Sequence, residues 1–111
     1  MFILEKGILV WGTIMAIEVD EDGGQFVIKI TGRFELSNHL DFVKAYESIA
    51  GNVAVLDLGE AVYLDSAALG MMLAMREHLG GEQAKIEIIN CSTQIQDILK
   101  IAHFSKLFSV R

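Results

Sequence analysis

The sequence predicts a single α/β domain in which helices cover a mixed β-sheet. The chain has 111 residues, enough for one domain to bury a core; 52% of them are hydrophobic and 22% charged. Short apolar stretches with a period of two alternate with longer stretches of helical period. Two strands come first in succession, so the expected element order is β-β-α-β-α-β-α-β, with right-handed crossovers after the opening pair.

The first two strands are predicted at residues 14–19 and 26–31, where apolar and polar side chains alternate. The acidic, glycine-containing segment 20–24 between them is typical of a turn, so the pair should form an antiparallel hairpin. A helix then begins at residues 37–38, a serine and an asparagine that both favour the N-cap, and ends at residues 51–52.

The middle of the chain is predicted to be a strand, an acidic turn and a helix. Residues 53–58 are almost continuously apolar, which is typical of a central strand buried on both faces. The turn leads to Asp65 and Ser66, where the helix begins. This helix ends at Leu79, before two glycines that suit a left-handed cap.

The last elements are a strand at residues 85–91, a helix and a short strand at residues 106–110. The helix begins at Thr93, which with Gln96 forms a capping-box pattern. The glycine pairs in the chain are explained by turns and caps, and no glycine-rich phosphate loop follows a strand.

Residues 1–14 are predicted to be an N-terminal extension, either an extra strand or sequence upstream of a natural start at Met15; residues 15–111 form the domain. The apolar stretch 8–17 is shorter than the roughly 20 residues that a membrane-spanning helix needs, and a basic start and clear cleavage site are missing.

A net charge of −6 disfavours binding to nucleic acid or anionic membranes. The single cysteine, Cys91, fits a reducing compartment, so we expect a cytoplasmic protein without membrane insertion.

The start of the predicted middle helix is a candidate regulatory site. Ser66 would place a hydroxyl at the positive end of the helix beside free N–H groups, a seat for a phosphate that it could carry covalently. Asp57, Glu60 and Asp65 are expected to cluster around it. The alternative is that Asp65 and Ser66 are unmodified capping residues.

The helix that follows is apolar nearly all round, so a second face would stay exposed unless a partner covers it. Leu69, Met72 and Leu73 suffice for the side that packs on the sheet. Met71 and Met75 are therefore the better candidates for an adaptable partner surface. The alternative is that the methionines fill the core.

Sites of other kinds are not indicated. The three histidines show no metal-ligand spacing, so neither a metal, a cofactor nor a catalytic group is expected. A receiver domain phosphorylated on aspartate would need carboxylates such as Asp57 and Asp65 to join those of residues 20–22. That pairing is disfavoured, because residues 20–22 lie in a hairpin turn rather than after a parallel strand.

Three segments together resemble the STAS domain, the family of sulfate transporters and anti-sigma factor antagonists. Residues 56–79, LDLGEAVYLDSAALGMMLAMREHL, resemble its strand, loop and Asp-Ser helix start. Residues 31–46, TGRFELSNHLDFVKAY, resemble its second strand and first helix, and residues 86–108 its later strand, helix and closing Leu-Phe. The resemblance extends over residues 15–110.

The resemblance implies a non-enzymatic anti-sigma factor antagonist. Ser66 would be phosphorylated by a partner serine kinase that is itself an anti-sigma factor, and Asp65 would be a neighbouring recognition carboxylate. The unphosphorylated domain would bind that partner, the phosphorylated domain would release it, and a separate phosphatase would restore it. The expected partner-binding residues are Asp65, Glu60, Ala67, Ala68, Met71 and Met75. A STAS subunit of a transporter or stress-sensing complex, without a phosphate cycle, is the alternative within the fold.

The chain departs from the family pattern in several places. Ala67 and Ala68 stand where serine and glycine are common, which removes a competing serine and could change the fit to a kinase. His103 and Phe104 stand where Gly-Leu is usual. We expect the domain to lack the family's usual final helix, and the N-terminal extension or a second copy in a homodimer could cover the place it leaves.

Overall fold

The described part of the chain forms one mixed β-sheet and three α-helices. A computed structural model describes the backbone of residues 2–3, 8–11 and 15–111, and the side chains of residues 17–21 and 23–111. The strands are β1 (Phe2–Ile3), β2 (Ile8–Trp11), β3 (Met15–Asp22), β4 (Gln25–Phe34), β5 (Val53–Leu64), β6 (Lys85–Ile89) and β7 (Ser109–Val110). The helices are α1 (His39–Glu47), α2 (Ser66–His78) and α3 (Thr93–Ile101).

The strands lie in the sheet in their chain order, β1 to β7. The pairs from β1 to β4 are antiparallel, and the pairs from β4 to β7 are parallel. Each parallel pair is joined through one of the three helices, which is the connection that parallel neighbours require. From β3 onward the order is β-β-α-β-α-β-α-β, so the predicted α/β fold is confirmed.

Residues before β3 add strands to the sheet. In β2, Ile8 pairs with Glu18 and Trp11 with Met15, and β1 pairs with β2. The predicted first strand began at residue 14, which lies outside the described residues. The division into a 1–14 extension and a 15–111 domain stays a prediction.

One face of the sheet carries the helices and the core. Alternate side chains of β4, β5 and β6 point into it and are buried together with residues of all three helices. The strand residues of this core include Ile28, Ile30, Ala54, Leu56, Ile86 and Ile88. The prediction that β5 is buried on both faces is wrong at its start, because Val53 on the other face is 46% exposed.

β5 extends beyond the predicted strand, so the predicted acidic turn is wrong. Its last residues pair with the end of β4, where Arg33 lies opposite Tyr63. The register shifts after Asp57, where three residue steps on β5 match two on β4, as in a β-bulge. Strand pairing and the β-branched and aromatic residues at 62–63 outweigh the turn preference of the glycine and glutamate at 59–60.

α1 is shorter than predicted. A 3-10 turn at Leu36–Asn38 precedes it, and it ends at Glu47 rather than at residues 51–52. The Ser48 hydroxyl donates to the Ala45 carbonyl at 2.6 Å, a local side-chain bond that competes with continuation of the helix.

The start of α3 differs by one residue from the predicted cap. β6 ends at Ile89 because Asn90 takes a left-handed backbone conformation, with φ of 61°. Ser92, not Thr93, is the N-cap residue, and its hydroxyl oxygen accepts a hydrogen bond from the Ile95 N–H at 3.2 Å.

The orientation of α2 contradicts the predicted roles of its methionines. Met71, Met72 and Met75 are all buried against the sheet, whereas Leu73 is 37% exposed. Met71 and Met75 therefore belong to the core and do not contact a partner directly. Their flexible side chains fill the space between helix and sheet, in agreement with the alternative prediction that the methionines fill the core.

We predict that Met75→Ala lowers the free energy of unfolding by about 2–5 kcal/mol, because it removes a fully buried side chain and leaves a cavity. The matched variant Leu73→Ala, two residues away on the exposed side of the same helix, should cost about 1 kcal/mol or less. Urea denaturation measures both values. A loss for Leu73→Ala as large as that for Met75→Ala would contradict this orientation of α2.

Candidate functional site

Asp65 forms hydrogen bonds with three parts of the chain at the carboxyl ends of β4 and β5: the end of β4, the turn before α1, and α2. It is the N-cap residue of α2, and its carboxylate accepts a hydrogen bond from the Ala68 N–H at 2.8 Å. The other carboxylate oxygen accepts from the Leu36 N–H at 3.4 Å, and the Asp65 N–H donates to the Phe34 carbonyl at 3.3 Å. A negative charge at this end of α2 is also favoured by the helix dipole.

Ser66 is the first residue of α2, and its side chain is exposed. Within the described residues its hydroxyl has no hydrogen-bond partner, and neither have the N–H groups of Ser66 and Ala67. A kinase could therefore reach the hydroxyl, and the free N–H groups can stabilise an anion there. The structure places Ser66 at the exposed start of α2, and its role as a phosphate acceptor stays a prediction.

Arg33 lies near the end of β4, opposite Tyr63 on β5. Its guanidinium carbon lies 4.0 Å from the centre of the Tyr63 ring, and its Nε donates to a Glu35 carboxylate oxygen at 3.1 Å. The sequence analysis did not single out these three residues. Arg33 and Glu35 are two residues apart at the end of a strand, a spacing that puts both side chains on one face and could have indicated the pair.

Exposed apolar side chains concentrate on the elements that meet at Asp65. In the described part of the chain eight large hydrophobic side chains are exposed, and five of them lie on the end of β5, on α2, or on α1 and the turn before it. We call these five the apolar rim: Leu36, Leu40, Val62, Tyr63 and Leu73. Exposed large apolar side chains are candidates for an interaction surface, which contiguous apolar patches mark. Leu36 and Leu40 could have been identified because they are large apolar residues outside the buried stripe of the predicted helix.

The predicted acidic cluster around Ser66 is wrong for Asp57 and Glu60. Because β5 continues to Leu64, Asp65 lies five residue steps beyond Glu60, about 16 Å at a rise of 3.3 Å per residue. Asp57 is farther still, and one of its oxygens accepts from the Gly59 N–H at 2.9 Å and the Asn90 side-chain amide at 3.2 Å. Its role in this structure is to fix the bulge in β5.

The two alanines after Ser66 differ in exposure. Ala68 is completely buried, so the prediction that its side chain contacts a partner is wrong; its contribution is the N–H bonded to Asp65. Ala67 is half-buried and remains at the surface of the first turn.

Other candidate chemistry is not assembled by the fold. No group of three or more His, Cys, Asp or Glu residues in the described ranges could hold a metal ion. Cys91 is buried, and burial, with a smaller effect from the Asp57 charge, raises the pKa of its thiol. Among the described helices, none is both long and apolar enough to cross a membrane.

The two-layer α/β fold, together with a serine at the start of α2 after a capping aspartate, defines a STAS-type domain. Residues 17–109 match the family model described as "Mlab, STAS domain", and the chain belongs to the STAS domain family. It is similar to a STAS-domain containing protein of Pseudomonas aeruginosa, with 47% identity over 91 residues that cover 80% of this chain and 90% of that protein.

Solved structures with the same fold include anti-sigma factor antagonists. One from Mycobacterium paratuberculosis has a TM-score of 0.74 at 17% identity, covering 98% of this chain and 89% of that one. SpoIIAA in its unphosphorylated form has a TM-score of 0.68 at 12% identity, covering 86% and 87%. The phosphorylated form of the Bacillus protein SpoIIAA has a TM-score of 0.61 at 12% identity, covering 86% and 90%. At these identities the likeness concerns the fold.

We predict that Asp65→Ala lowers the free energy of unfolding by about 1–2 kcal/mol, because the Ala68 and Leu36 N–H groups lose their acceptor. Asp65→Asn retains one oxygen acceptor, enough for the cap to the Ala68 N–H but not also for the Leu36 N–H, and should cost less than Asp65→Ala. Thermal and urea unfolding measure both. Glu60→Ala, an exposed change on β5, is the control and should leave stability unchanged. An unchanged midpoint for Asp65→Ala would show that the cap does not hold these elements together.

We predict that the Cys91 thiol of the folded protein reacts at least about tenfold more slowly with Ellman's reagent than that of the urea-unfolded chain, since burial and a raised pKa disfavour the reactive thiolate. The folded thiol keeps its proton at a pH where the unfolded thiol, with a pKa near 8.5, loses it. Stability should therefore fall as the pH rises above that value, and less so in Cys91→Ala. Equal reaction rates in both states would contradict the buried position.

Proposed function

We propose that the protein is an anti-sigma factor antagonist that binds a regulatory partner and is switched by phosphorylation of Ser66. The observation that carries the proposal is the exposed Ser66 hydroxyl at the start of α2, beside a fixed Asp65 carboxylate, in a chain of the STAS family. The partner would be a serine kinase of the anti-sigma type, with a separate phosphatase. The protein itself would act in the cytoplasm, as a binding protein without catalysis.

The surroundings of Ser66 support a surface for binding another protein. The apolar rim lies on the elements that meet at Asp65, so a partner that covers Ser66 can also bury exposed leucine, valine and tyrosine side chains. Ala67 and the exposed Gly70 on α2 leave room for close approach. These residues replace Met71 and Met75 as the proposed contact surface.

Phosphorylation would oppose such a complex through desolvation and charge. A phosphate adds about −1.5 to −2 charge at neutral pH in the middle of the contact, next to Asp65. Burying a charge without a matching partner costs about 3–5 kcal/mol, against about 8 kcal/mol for the whole of a micromolar complex. The free protein can tolerate the group, because the first N–H groups of α2 stabilise it in place.

We predict that Ser66→Asp binds the partner at least about 100-fold more weakly than Ser66→Ala, which corresponds to about 2.7 kcal/mol. Immobilised Ser66→Ala protein would capture the partner from a cell extract of the source organism, and calorimetry with the purified partner would give both dissociation constants. Ser105→Asp, an exposed serine in another segment, is the charge control and should bind normally.

Mass spectrometry of the protein isolated from its cells should find phosphate on Ser66. Equal binding by Ser66→Asp and Ser66→Ala would reject the switch and favour a STAS subunit that uses this surface without a phosphate cycle. An acid- and base-labile phosphate on an aspartate would instead indicate a receiver-like protein.

A further inference from the structure

The three described helices pack on one face of the sheet and leave the opposite face to solvent. On β4, β5 and β6 the side chains of Ile28, Leu56 and Ile88 point into the core, so the residues next to them in sequence point to the helix-free face. The part of that face near the N-terminal ends of these strands, together with the neighbouring part of β3, is called the open face here. Its defining residues are Asp20, Val27, Val53, Val55, Lys85 and Glu87.

Valine side chains occupy the middle of the open face. Val27 on β4 pairs with Val55 on β5. Val53 lies two residues before Val55 on the same face and is 46% exposed. An open groove of about 360 Å³ passes beside it over β5 and β6, and Leu107, which is 39% exposed, also lines this groove. A partner that covers the groove can therefore remove apolar surface from water.

The side of the open face toward β3 is negative. Asp20 is exposed and pairs with Val27, and Glu18 lies two residues earlier on the same face of β3. Lys29 pairs in register with Glu18 on one side and with Asp57 on the other, so the sheet already balances its charge. Within the described residues no ion pair joins Asp20 to a base.

The side of the open face toward β6 and β7 is positive. Lys85 is exposed and pairs with Val53, and it makes no ion pair within the part of the chain that the structure describes. Glu87 accepts two hydrogen bonds from the Arg111 guanidinium, at 2.7 Å and 3.1 Å, and these two charges cancel. Lys85 therefore carries the uncompensated charge on this side.

This charge pattern is complementary to itself. Asp20 and Lys85 lie three strands apart, about 14 Å at 4.8 Å per strand, and the midpoint between them falls where Val27 pairs with Val55. Let two copies face each other across a twofold axis that passes this midpoint, parallel to the strands. Asp20 of each copy then lies on the Lys85 side of the other, offset along the strand by two residues, about 6.6 Å, which a lysine side chain can bridge.

The alternative axis, perpendicular to the strands, would place β3 of one copy over β3 of the other. The Asp20 and Glu18 carboxylates of the two copies would then face each other without a cation, and like charges that face each other across an interface are costly. The charges therefore favour the axis parallel to the strands.

We propose that the open face is the contact between two copies of this chain, related by the twofold axis parallel to the strands. Val27, Val53 and Val55 of both copies form the centre of the contact, and Asp20 of each copy approaches Lys85 of the other. Because the contact is isologous, each of these charge pairs occurs twice. α2 lies on the opposite face of the sheet, so the Ser66 site stays accessible in both copies. The inference does not depend on phosphorylation of Ser66.

Sedimentation velocity of the full chain, at concentrations up to about 1 mM, tests this contact. The unchanged protein should show a monomer–dimer equilibrium. Asp20→Lys and Lys85→Glu each bring like charges together at both contacts, so each variant alone should dimerise at least about tenfold more weakly. Glu47→Lys on α1 and Lys100→Glu on α3 make the same charge changes at exposed positions away from the open face, and they should leave the dissociation constant unchanged.

An equimolar mixture of the Asp20→Lys and Lys85→Glu proteins is the decisive sample. In the mixed dimer both contacts again join opposite charges, so association should return to the level of the unchanged protein. Val53→Asn alters an exposed side chain and should weaken association while circular dichroism shows the fold retained. A mixture that does not associate, or a dimer that the two charge variants leave intact, would overturn the inference. So would a chain that stays monomeric over this range, whether its open face is bare or binds a different protein.

Discussion

The carboxylate of Asp65 is the constraint on which the site depends. One oxygen caps α2 through the Ala68 N–H and the other accepts from the Leu36 N–H, so a single side chain fixes the start of α2 against the end of β4. The N–H of the same residue joins the Phe34 carbonyl and closes the strand pairing. Because an N-cap residue must have an extended backbone, the chain changes direction at Asp65, and the residue that follows is left on the surface. The exposure of the Ser66 hydroxyl is a consequence of this geometry.

The second determinant is the pairing of β4 and β5 beyond the ends of their neighbours. β6 pairs with β5 only as far as Asp57, and β5 then continues for seven residues beside β4. The bulge after Asp57 is held by that carboxylate, which accepts from the Gly59 N–H and the Asn90 side chain. The extension places Tyr63 beside Arg33, whose guanidinium carbon lies 4.0 Å from the centre of the ring, two residues before the N-cap of α2.

The sequence predicted the fold better than the site. Hydrophobic periodicity predicted the element order from β3 onward. The spacing at which side chains return to the same face of a helix or strand follows directly from backbone geometry. The length of β5 was not predictable from local preferences, because Gly59 and Glu60 are poor strand residues that only the pairing with β4 holds extended. The methionine assignment failed for a related reason. On a helix that is apolar nearly all round, the hydrophobic periodicity does not show which face is buried. Packing against the sheet buries Met71 and Met75 and leaves Leu73 exposed. The exposed serine and its capping aspartate were recognisable because both roles depend on local residue types.

The same Asp65 carboxylate also limits what the helix start can do for a phosphate. A helix N-terminus stabilises an anion through its free N–H groups, yet here one of them is already bonded to a negatively charged side chain. A phosphate on Ser66 would share the remaining donors and would stand next to that charge. Its own site would hold it without neutralising it fully. An incompletely neutralised phosphate at this helix start is compatible with the free protein, where water completes its solvation. Against the apolar surface of a partner, water is excluded, and the same residual charge opposes binding.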